Sequence, residues 1–287
     1  MIKLQSITLP DGFLREEIRD GYTVSSKMKE VWAIELDLLQ CFINVCEKNG
    51  LRYFMDSGTL LGAARHQGFI PWDDDIDVSM PLDDYLKLRE IAKSEFNGSY
   101  RFVSEYDYAQ EGSMVIISRL QNAETTVINR RNIDLKGSSN HGIWLDIFPL
   151  IGLPPAFERD QYIHEIFELL RKMQLIIRKQ RNGMSADVRA ELSAQLVQLE
   201  KLEEKYPITP ATKKVMLVSS SVGNDRVIFN YSDFQDTVPL PFEMLTPAAP
   251  RGYKNYLRTV YGVWKKPVQQ FAHGEIIFDT DRLRSND

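Results

Sequence analysis

Apolar residues recur at helical spacing at Val31, Ile34, Leu38, Phe42 and Val45, and Asn49-Gly50 then supplies a stop. A helix ending there is followed by a short apolar run, residues 51–55, that reads as a strand. Ser57-Gly58-Thr59 makes a turn, residues 60–66 a short helix, and residues 67–71 a loop. A second strand covers residues 76–80, beginning near Asp74. Pro81 and Asp83-Asp84 open a helix that reaches about Phe96 and ends at Asn97-Gly98. Residues 101–103, 114–117, 125–128 and 142–148 read as further strands. Two helices follow, over 160–180 with Ile163, Phe167, Leu170 and Ile177 on one face, and over 187–205 with a more polar pattern. Residues 256–262 form a last helix closed by a glycine cap. Residues 1–25 read as an extended arm. The order of elements predicts an α+β fold rather than a regular βαβ alternation. It divides the chain into an arm over 1–27 and one domain over 28–287, with a helical segment at 156–206 inside it.

Composition narrows the classes of function. The chain has 287 residues and a net charge of −5, with a sequence pI of about 5.6, which argues against nucleic-acid binding through a broad basic surface. The first residues lack a signal-peptide pattern, and no apolar run approaches the ~20 residues that span a bilayer. The expected location is therefore cytoplasmic. Cys41 and Cys46 lie five apart in a helical segment, on different faces, so they are expected to be core thiols rather than a disulfide. With no other cysteine, a structural zinc site has too few sulfur ligands. Arg171, Lys172, Arg178, Lys179 and Arg181 make one helix basic, read first as a solvated face and second as a contact for a membrane leaflet or an anionic polymer.

The chemistry concentrates between Phe54 and Val78. Asp73, Asp74, Asp75 and Asp77 stand in five residues, flanked by Trp72 and Ile76. Carboxylates so placed repel one another and lose hydration, and a hard divalent cation is the natural partner. On a strand, residues i and i+2 share a face, so Asp75 and Asp77 point one way while Ile76 and Val78 point into the core. An EF-hand loop starting at Asp73 fails, because Val78 stands at the position that must be glycine and Asp84 where glutamate is needed. Ahead of the acids, Gly58 allows close approach of backbone to a phosphate, Thr59 adds a hydroxyl, and the helix that follows aims its N-terminus at the anion. Arg65 could fork onto the same phosphate. Asp146, set among Trp144, Leu145, Ile147 and Phe148, is the candidate third acid: either a metal or proton-transfer residue, or half of a buried salt bridge. Asp73, His66, Trp72, Arg119 and His273 are further candidates. A hydrogen-bonded structural role competes for His66, core packing competes for Trp72, and Asp56 is expected to brace Arg65 or the loop.

A small-residue turn followed by Asp-x-Asp resembles the nucleotidyltransferase motif. Beyond that, Asp-Ser-Gly-Thr-Leu-Leu-Gly-Ala-Ala-Arg-His at Asp56 to His66, Gly-Phe-Ile-Pro-Trp-Asp-Asp-Asp-Ile-Asp at Gly68 to Asp77, and weaker matches at Leu145 to Leu150 and Tyr256 to Gly262 resemble the LicD family of phosphotransferases. Fukutin and the fukutin-related protein are relatives in that family. The resemblance implies a nucleotidyltransferase-like mixed β-sheet flanked by helices, with further helices in the C-terminal half. It implies transfer of a phosphorylated group from a CDP-linked donor to a sugar hydroxyl. In bacterial members this is phosphocholine from CDP-choline, moved onto a surface glycan, lipopolysaccharide or teichoic acid. It makes Asp75, Asp77 and Asp146 the ligands of magnesium, with manganese as the alternative, and Asp146 a group that could take the acceptor's proton. It places Ser57, Gly58, Thr59 and Arg65 at the donor phosphate. The zinc-binding cysteine insert of fukutin-related protein is missing here, so no zinc is expected. The partners implied are a CDP-linked donor and a glycan or glycolipid acceptor, with peripheral contact at the inner membrane face. Two rivals differ in kind: a metal-dependent nucleotide-sugar glycosyltransferase, and a family member that only binds glycan.

Overall fold

The structure, a computed structural model, describes residues 2–111, 115–129, 142–178, 185–218, 228–267 and 276–280. The N-terminal arm contains a small hairpin, β1 (Glu17–Arg19) and β2 (Tyr22–Val24), antiparallel to each other. The arm is pinned to the domain by a buried acid of α1 (Ser26–Asn49): Asp37 Oδ1 accepts the backbone N–H groups of Gln5, Ser6 and Ile7 at 2.9, 2.7 and 3.2 Å. Its Oδ2 accepts the Tyr100 hydroxyl at 2.8 Å. Ser25 caps α1 by accepting the Met28 N–H, and Gly50 ends it in the left-handed conformation at φ 63°. Trp32, Leu36, Leu38 and Leu39 are all fully buried, although no single helical face holds them, so α1 is an interior helix rather than a surface one. Cys41 and Cys46 are buried free thiols on this helix, as their spacing predicts.

After α1 come β3 (Phe54–Met55), α2 (Ser57–His66), β4 (Ile76–Pro81), α3 (Leu82–Glu95), β5 (Tyr100–Val103), α4 (Glu105–Glu111), β6 (Ser118–Asn122), β7 (Thr126–Asn129) and β8 (Trp144–Gly152). The helices α5 (Ala156–Arg178) and α6 (Ala186–Glu203) follow, then β9 (Lys214–Leu217), β10 (Ile228–Asn230), β11 (Thr237–Pro239), β12 (Ala248–Pro250), α7 (Tyr253–Tyr261) and β13 (Ile276–Asp279). Seven strands form one mixed sheet in the order β10-β9-β8-β4-β3, with β6 also on β8 and β5 on β6. Two antiparallel pairs, β11 with β12 and β7 with β13, lie outside it. The architecture is mixed α+β, as expected from the sequence.

β8 organises the sheet. One edge runs parallel to β4 from Ile76↔Leu145 to Pro81↔Leu150. The other edge is shared, by β6 over Trp144 to Ile147 and by β9 over Leu150 to Gly152. Pro149 falls where that edge passes from one partner to the next, so its missing N–H breaks no ladder. Leu145, Ile147, Ile76 and Val78 are fully buried, which fixes the register of the two central strands.

Some elements differ from the expectation. The apolar run at 115–117 is not a strand. Ile116 and Ile117 are buried lead-in residues, with Val115 and Ile116 against Met173, Ile177, Leu192 and Leu196 of α5 and α6, and the strand begins at Ser118. The helix α4 and the short strands β9 to β13 were not legible in the hydropathy pattern. On α5, Arg171 pairs with Glu168 at 2.7 Å, so the basic face is in part neutralised from within; Lys179 and Arg181 lie outside the described residues. An open groove of about 740 Å³ between α5 and α6 is lined by Leu169, Leu175, Leu202, Arg171, Lys172 and Lys201 and by no residue of the acidic cluster. Among the described residues, no helix is long and apolar enough to cross a membrane.

Candidate active site

The parallel pairing of β4 with β8 sets Asp77 directly beside Asp146. The antiparallel pairing of β6 with β8 sets Arg119 beside Asp146 on the other side. Three adjacent strands thus carry a charged row, Arg119–Asp146–Asp77, across the sheet. Asp75 stands one residue ahead of β4, in the loop that leads into the strand. One carboxylate oxygen each of Asp75, Asp77 and Asp146 lie within 4.8 Å of one another. Residues separated by about seventy positions in sequence therefore meet as the spacing and the resemblance led one to expect.

Arg119 and Asp146 form a close buried pair. Arg119 Nε donates to Asp146 Oδ1 at 2.5 Å and Nη2 to Oδ2 at 3.5 Å. The guanidinium lies 4.2 Å from the Trp144 ring centroid, and the Trp144 indole N–H donates to Asp146 Oδ2 at 3.1 Å. Asp146 is therefore half of a buried salt bridge, the second of the two roles its apolar neighbours suggested, and it also lies beside Asp75 and Asp77. Asp77 is 9% exposed. Burial pushes its carboxyl well above the usual carboxylate range, and Asp75, Asp146, Asp56 and Asp73 push it in the same direction.

Ser57 to Thr59, read from the sequence as a turn ahead of a helix starting at residue 60, are instead the first turn of α2, because Asp56 caps the helix at Ser57. This first turn is braced from several sides. Asp77 N–H donates to the Thr59 hydroxyl at 2.8 Å, and Asp56 N–H donates to the Asp77 carbonyl at 3.0 Å, so the turn and β4 are tied at the acid itself. Asp56 caps α2: its Oδ1 accepts the Ser57 N–H at 2.7 Å and the Tyr256 hydroxyl in a short hydrogen bond. The Tyr256 hydroxyl in turn accepts the Ser57 N–H at 3.0 Å. Asp56 therefore braces the turn through α7, and no bond joins it to Arg65. Ser57 has φ 43°, a region disfavoured for any residue with a side chain, and these bonds hold it there. At Gly58 an added Cβ would sit 2.6 Å from Asp73 Oδ2, so glycine lets the acidic loop close on the start of α2.

Arg65 and His66 form a relay at the other end of α2. His66 Nδ1 donates to Asp20 Oδ2 at 2.6 Å, and His66 Nε2 accepts Arg65 Nε–H at 2.8 Å. Arg65 Nη1 donates to the Trp264 carbonyl at 3.1 Å. Burial first, then the Arg65 charge, hold the His66 imidazole below its usual value, which favours the neutral tautomer this geometry needs. Trp72 is half-buried, its ring edge-on to Tyr22 at 6.0 Å between centroids. His273 lies outside the described residues.

Two residues join the site without a sequence signal of their own. Tyr261, at the end of α7, is 37% exposed as a residue; desolvation on the side facing the site, then the charges of Asp77, Asp56, Asp73 and Asp75, push its phenol up. Glu35 of α1 is 1% exposed and is pushed well up by burial, then by Asp75, Asp74, Asp73 and Asp77. Helical periodicity assigned that stretch of α1 to the core, where a glutamate gave no pattern to read.

A cation of magnesium's kind fits this donor set. Oxygen ligands about 2.0–2.1 Å from such an ion lie roughly 3 Å apart when adjacent and roughly 4 Å apart when opposite. Three carboxylate oxygens within 4.8 Å need only a small contraction to reach such spacings.

Residues 50–180 match the domain described as LicD/FKTN/FKRP, nucleotidyltransferase domain. The chain is 27% identical over 253 residues to the lipopolysaccharide cholinephosphotransferase LicD of Haemophilus influenzae, covering 83% of this chain and 91% of that protein. It is 33% identical over 124 residues to the ribitol 5-phosphate transferase FKRP of Homo sapiens, covering 40% of this chain and 23% of that one. It is 50% identical over 75 residues to an uncharacterised protein of Rickettsia typhi, covering 26% and 24%.

Proposed function

The chain belongs to the LicD family of phosphotransferases, and we propose that it transfers a phosphorylated group, phosphocholine from CDP-choline first among the candidates, to a hydroxyl of a cell-surface glycan, lipopolysaccharide or teichoic acid. The observation that carries this reading is the Asp75–Asp77–Asp146 cluster beside the braced first turn of α2, Ser57 to Thr59. The relatives named for cholinephosphate and ribitol 5-phosphate transfer support the class of group moved.

Asp75, Asp77 and Asp146 would hold magnesium, or manganese in its place. The bound ion would neutralise charge on the donor diphosphate and polarise the phosphorus under attack. The acceptor hydroxyl oxygen forms the new P–O bond as the bond to the leaving CMP breaks, and the hydroxyl proton passes to the released CMP phosphate or to solvent. The protein's own contribution is placement. The N-terminus of α2 presents its amide end toward the acids, which suits a phosphate oxygen. Asp146 has Oδ1 taken by Arg119 and Oδ2 by Trp144, which favours a fixed ligand over a mobile proton acceptor. Positioning and charge neutralisation would supply most of the rate, as in phosphoryl transfer generally. Contact with the inner membrane face would bring a lipid-linked acceptor to the site.

A thermal-shift screen of CDP-choline, CDP-ethanolamine, CDP-glycerol and CDP-ribitol with magnesium tests the donor class. One donor should raise the melting point in a magnesium-dependent way, because a ligand bound to the native state stabilises it by linkage. A shift with UDP- or GDP-sugars and none with any CDP-linked compound would point to glycosyl transfer instead.

A further inference from the structure

The N-terminal arm reaches the site through one residue that the transfer chemistry leaves unused. Asp20 and Gly21 form the two-residue turn between β1 and β2, with φ 49° and 78°. Both central residues of such a hairpin turn take positive φ, and Asp-Gly is a favoured pair for it. The tip is anchored on the domain. Arg19 Nη2 donates to Glu243 Oε2 at 3.2 Å, and its guanidinium lies 5.0 Å from the Trp32 ring centroid. Tyr22 packs edge-on against Trp72. Phe69 N–H donates to Glu243 Oε1 at 3.1 Å, so the same glutamate also holds the loop that runs to the acids. From this anchored tip Asp20 Oδ2 accepts His66 Nδ1–H at 2.6 Å, and His66 Nε2 accepts Arg65 Nε–H at 2.8 Å.

Arg65 is the group on which this chain of bonds ends. It is half-buried, and its two acceptors, His66 Nε2 and the Trp264 carbonyl, are uncharged, so neither bond spends its positive charge. Arg119, by contrast, is taken up by Asp146. Arg65 lies two turns beyond Gly58 on the same face of α2, and helical side chains lean toward the helix N-terminus. At Gly58 that face meets the Asp73 carboxylate. Among the described residues, the bonds of Arg65 engage Nε and Nη1 and leave Nη2 to a ligand. We propose that Asp20 is a positioning residue for phosphate recognition: it fixes the His66 ring with its proton on Nδ1, and His66 so fixed holds the Arg65 fork toward the donor diphosphate. A carboxylate on one ring nitrogen sets the tautomer and aims the lone pair of the other. Without it the imidazole can turn, or move its proton to Nε2, where it would meet the Arg65 N–H donor to donor. The matched family domain begins at residue 50, so the arm supplies this residue from outside it. Naming the anion as the donor's diphosphate rests on the phosphotransfer reading; the Asp20–His66–Arg65 chain does not.

Two measurements on the full chain test this. Long-range proton–nitrogen NMR of the histidine rings, without metal or nucleotide, reads the tautomer, with the His66 signal assigned by its loss in His66→Gln. Wild type should hold His66 with the proton on Nδ1, and Asp20→Ala should shift it toward the Nε2–H form. Calorimetric titration with magnesium pyrophosphate reads the anion. Asp20→Ala should bind it about tenfold more weakly. Asp20→Asn, whose carboxamide oxygen still accepts from Nδ1–H, should stay close to wild type. Arg65→Met should weaken binding by about 10- to 100-fold. Adding Asp20→Ala to Arg65→Met should weaken it no further, because the acid acts through the arginine. The Asp20 side chain is 50% exposed, so its replacement leaves the core intact, and circular dichroism checks that each variant is folded. Wild-type His66 with its proton on Nε2, equal pyrophosphate binding by wild type and Asp20→Ala, or an additive double variant would overturn the proposal. So would a wild type that binds no pyrophosphate. The expected tautomer and an Asp20-dependent pyrophosphate site, in a chain that transfers nothing from any CDP-linked donor, would uphold the role of Asp20 and overturn the donor reading instead.

Discussion

Replacing Arg119 by methionine isolates the electrostatics of the site. Methionine keeps much of the aliphatic bulk against Trp144 and Tyr108 and removes the charge. The side chains of Arg119 and Asp146 are 16% and 11% exposed, so this is a buried pair rather than a surface one. Breaking such a pair by deleting one partner costs about 3–5 kcal/mol, because the remaining charge is left buried and uncompensated. The Trp144 N–H still donates to Asp146 Oδ2 at 3.1 Å, which places the expected loss near the lower end, roughly 3 kcal/mol. At about 2–4 °C per kcal/mol for a chain of this size, the melting point should fall by roughly 6–12 °C. The variant should also respond more strongly to divalent cations than wild type, since a bound ion replaces part of the lost positive charge. Differential scanning fluorimetry with and without magnesium and manganese measures both effects. A variant that melts within about 1 °C of wild type would show that the Arg119–Asp146 pair is not the buried, stabilising contact described here. Equal cation stabilisation in both proteins would show that Asp146 does not belong to the cation site.

Asp77→Asn should abolish turnover and, in metal-free buffer, raise the melting point, because it removes a carboxylate that burial and four neighbouring acids disfavour; activity at wild-type level would contradict the ligand role. Tyr256→Phe removes a hydroxyl that both donates to Asp56 and accepts from Ser57, and should cost about 1–3 kcal/mol, with faster amide exchange at Ser57 as the local readout. His66 sets a pH dependence. Burial and Arg65 hold its folded value below the usual one, so the unfolded chain takes up the proton first, at about pH 6.5. The contribution is present above that pH and is lost as pH falls from there through the folded value. Melting points should therefore drop between about pH 7 and pH 5 in wild type and less in His66→Gln; equal slopes would assign the dependence to another group.

How much of this was legible in the sequence depends on the range of the interaction. Strand alternation picked Asp75 and Asp77 out of a run of acids; Asp77 lies on β4 with Ile76 and Val78 buried beside it, whereas Asp75 stands in the loop just ahead of the strand. Helix ends with strong local signals, Asn49-Gly50 and Tyr261-Gly262, fall where capping chemistry puts them. The pairing of Asp77 with Asp146 rests on a parallel register that no local pattern encodes, and it was reached through the third-acid argument and the resemblance. The partner of Asp146 was harder. Arg119 read as a phosphate-binding arginine, yet the β6–β8 register turns it onto the carboxylate. That register was hidden because the apolar run at 115–117 drew the strand toward it, whereas the ladder begins at Ser118. The strands β9 to β13 have three or four residues each, too few for alternation to show. Glu35 was invisible for a different reason: a polar residue inside an apolar helix has meaning only once the loop it meets is known.

The central claim, that Asp75, Asp77 and Asp146 serve transfer of a phosphorylated group, is tested most directly by phosphorus NMR of a complete reaction. Purified chain, magnesium, CDP-choline and a deacylated lipopolysaccharide or teichoic acid acceptor are followed with wild type and Asp77→Asn in parallel. The account predicts loss of the diphosphate signals, matched by equal gains of CMP and of a new phosphodiester on the glycan, with no change in the variant. Release of CMP without a new phosphodiester, or the same product from Asp77→Asn, would contradict it.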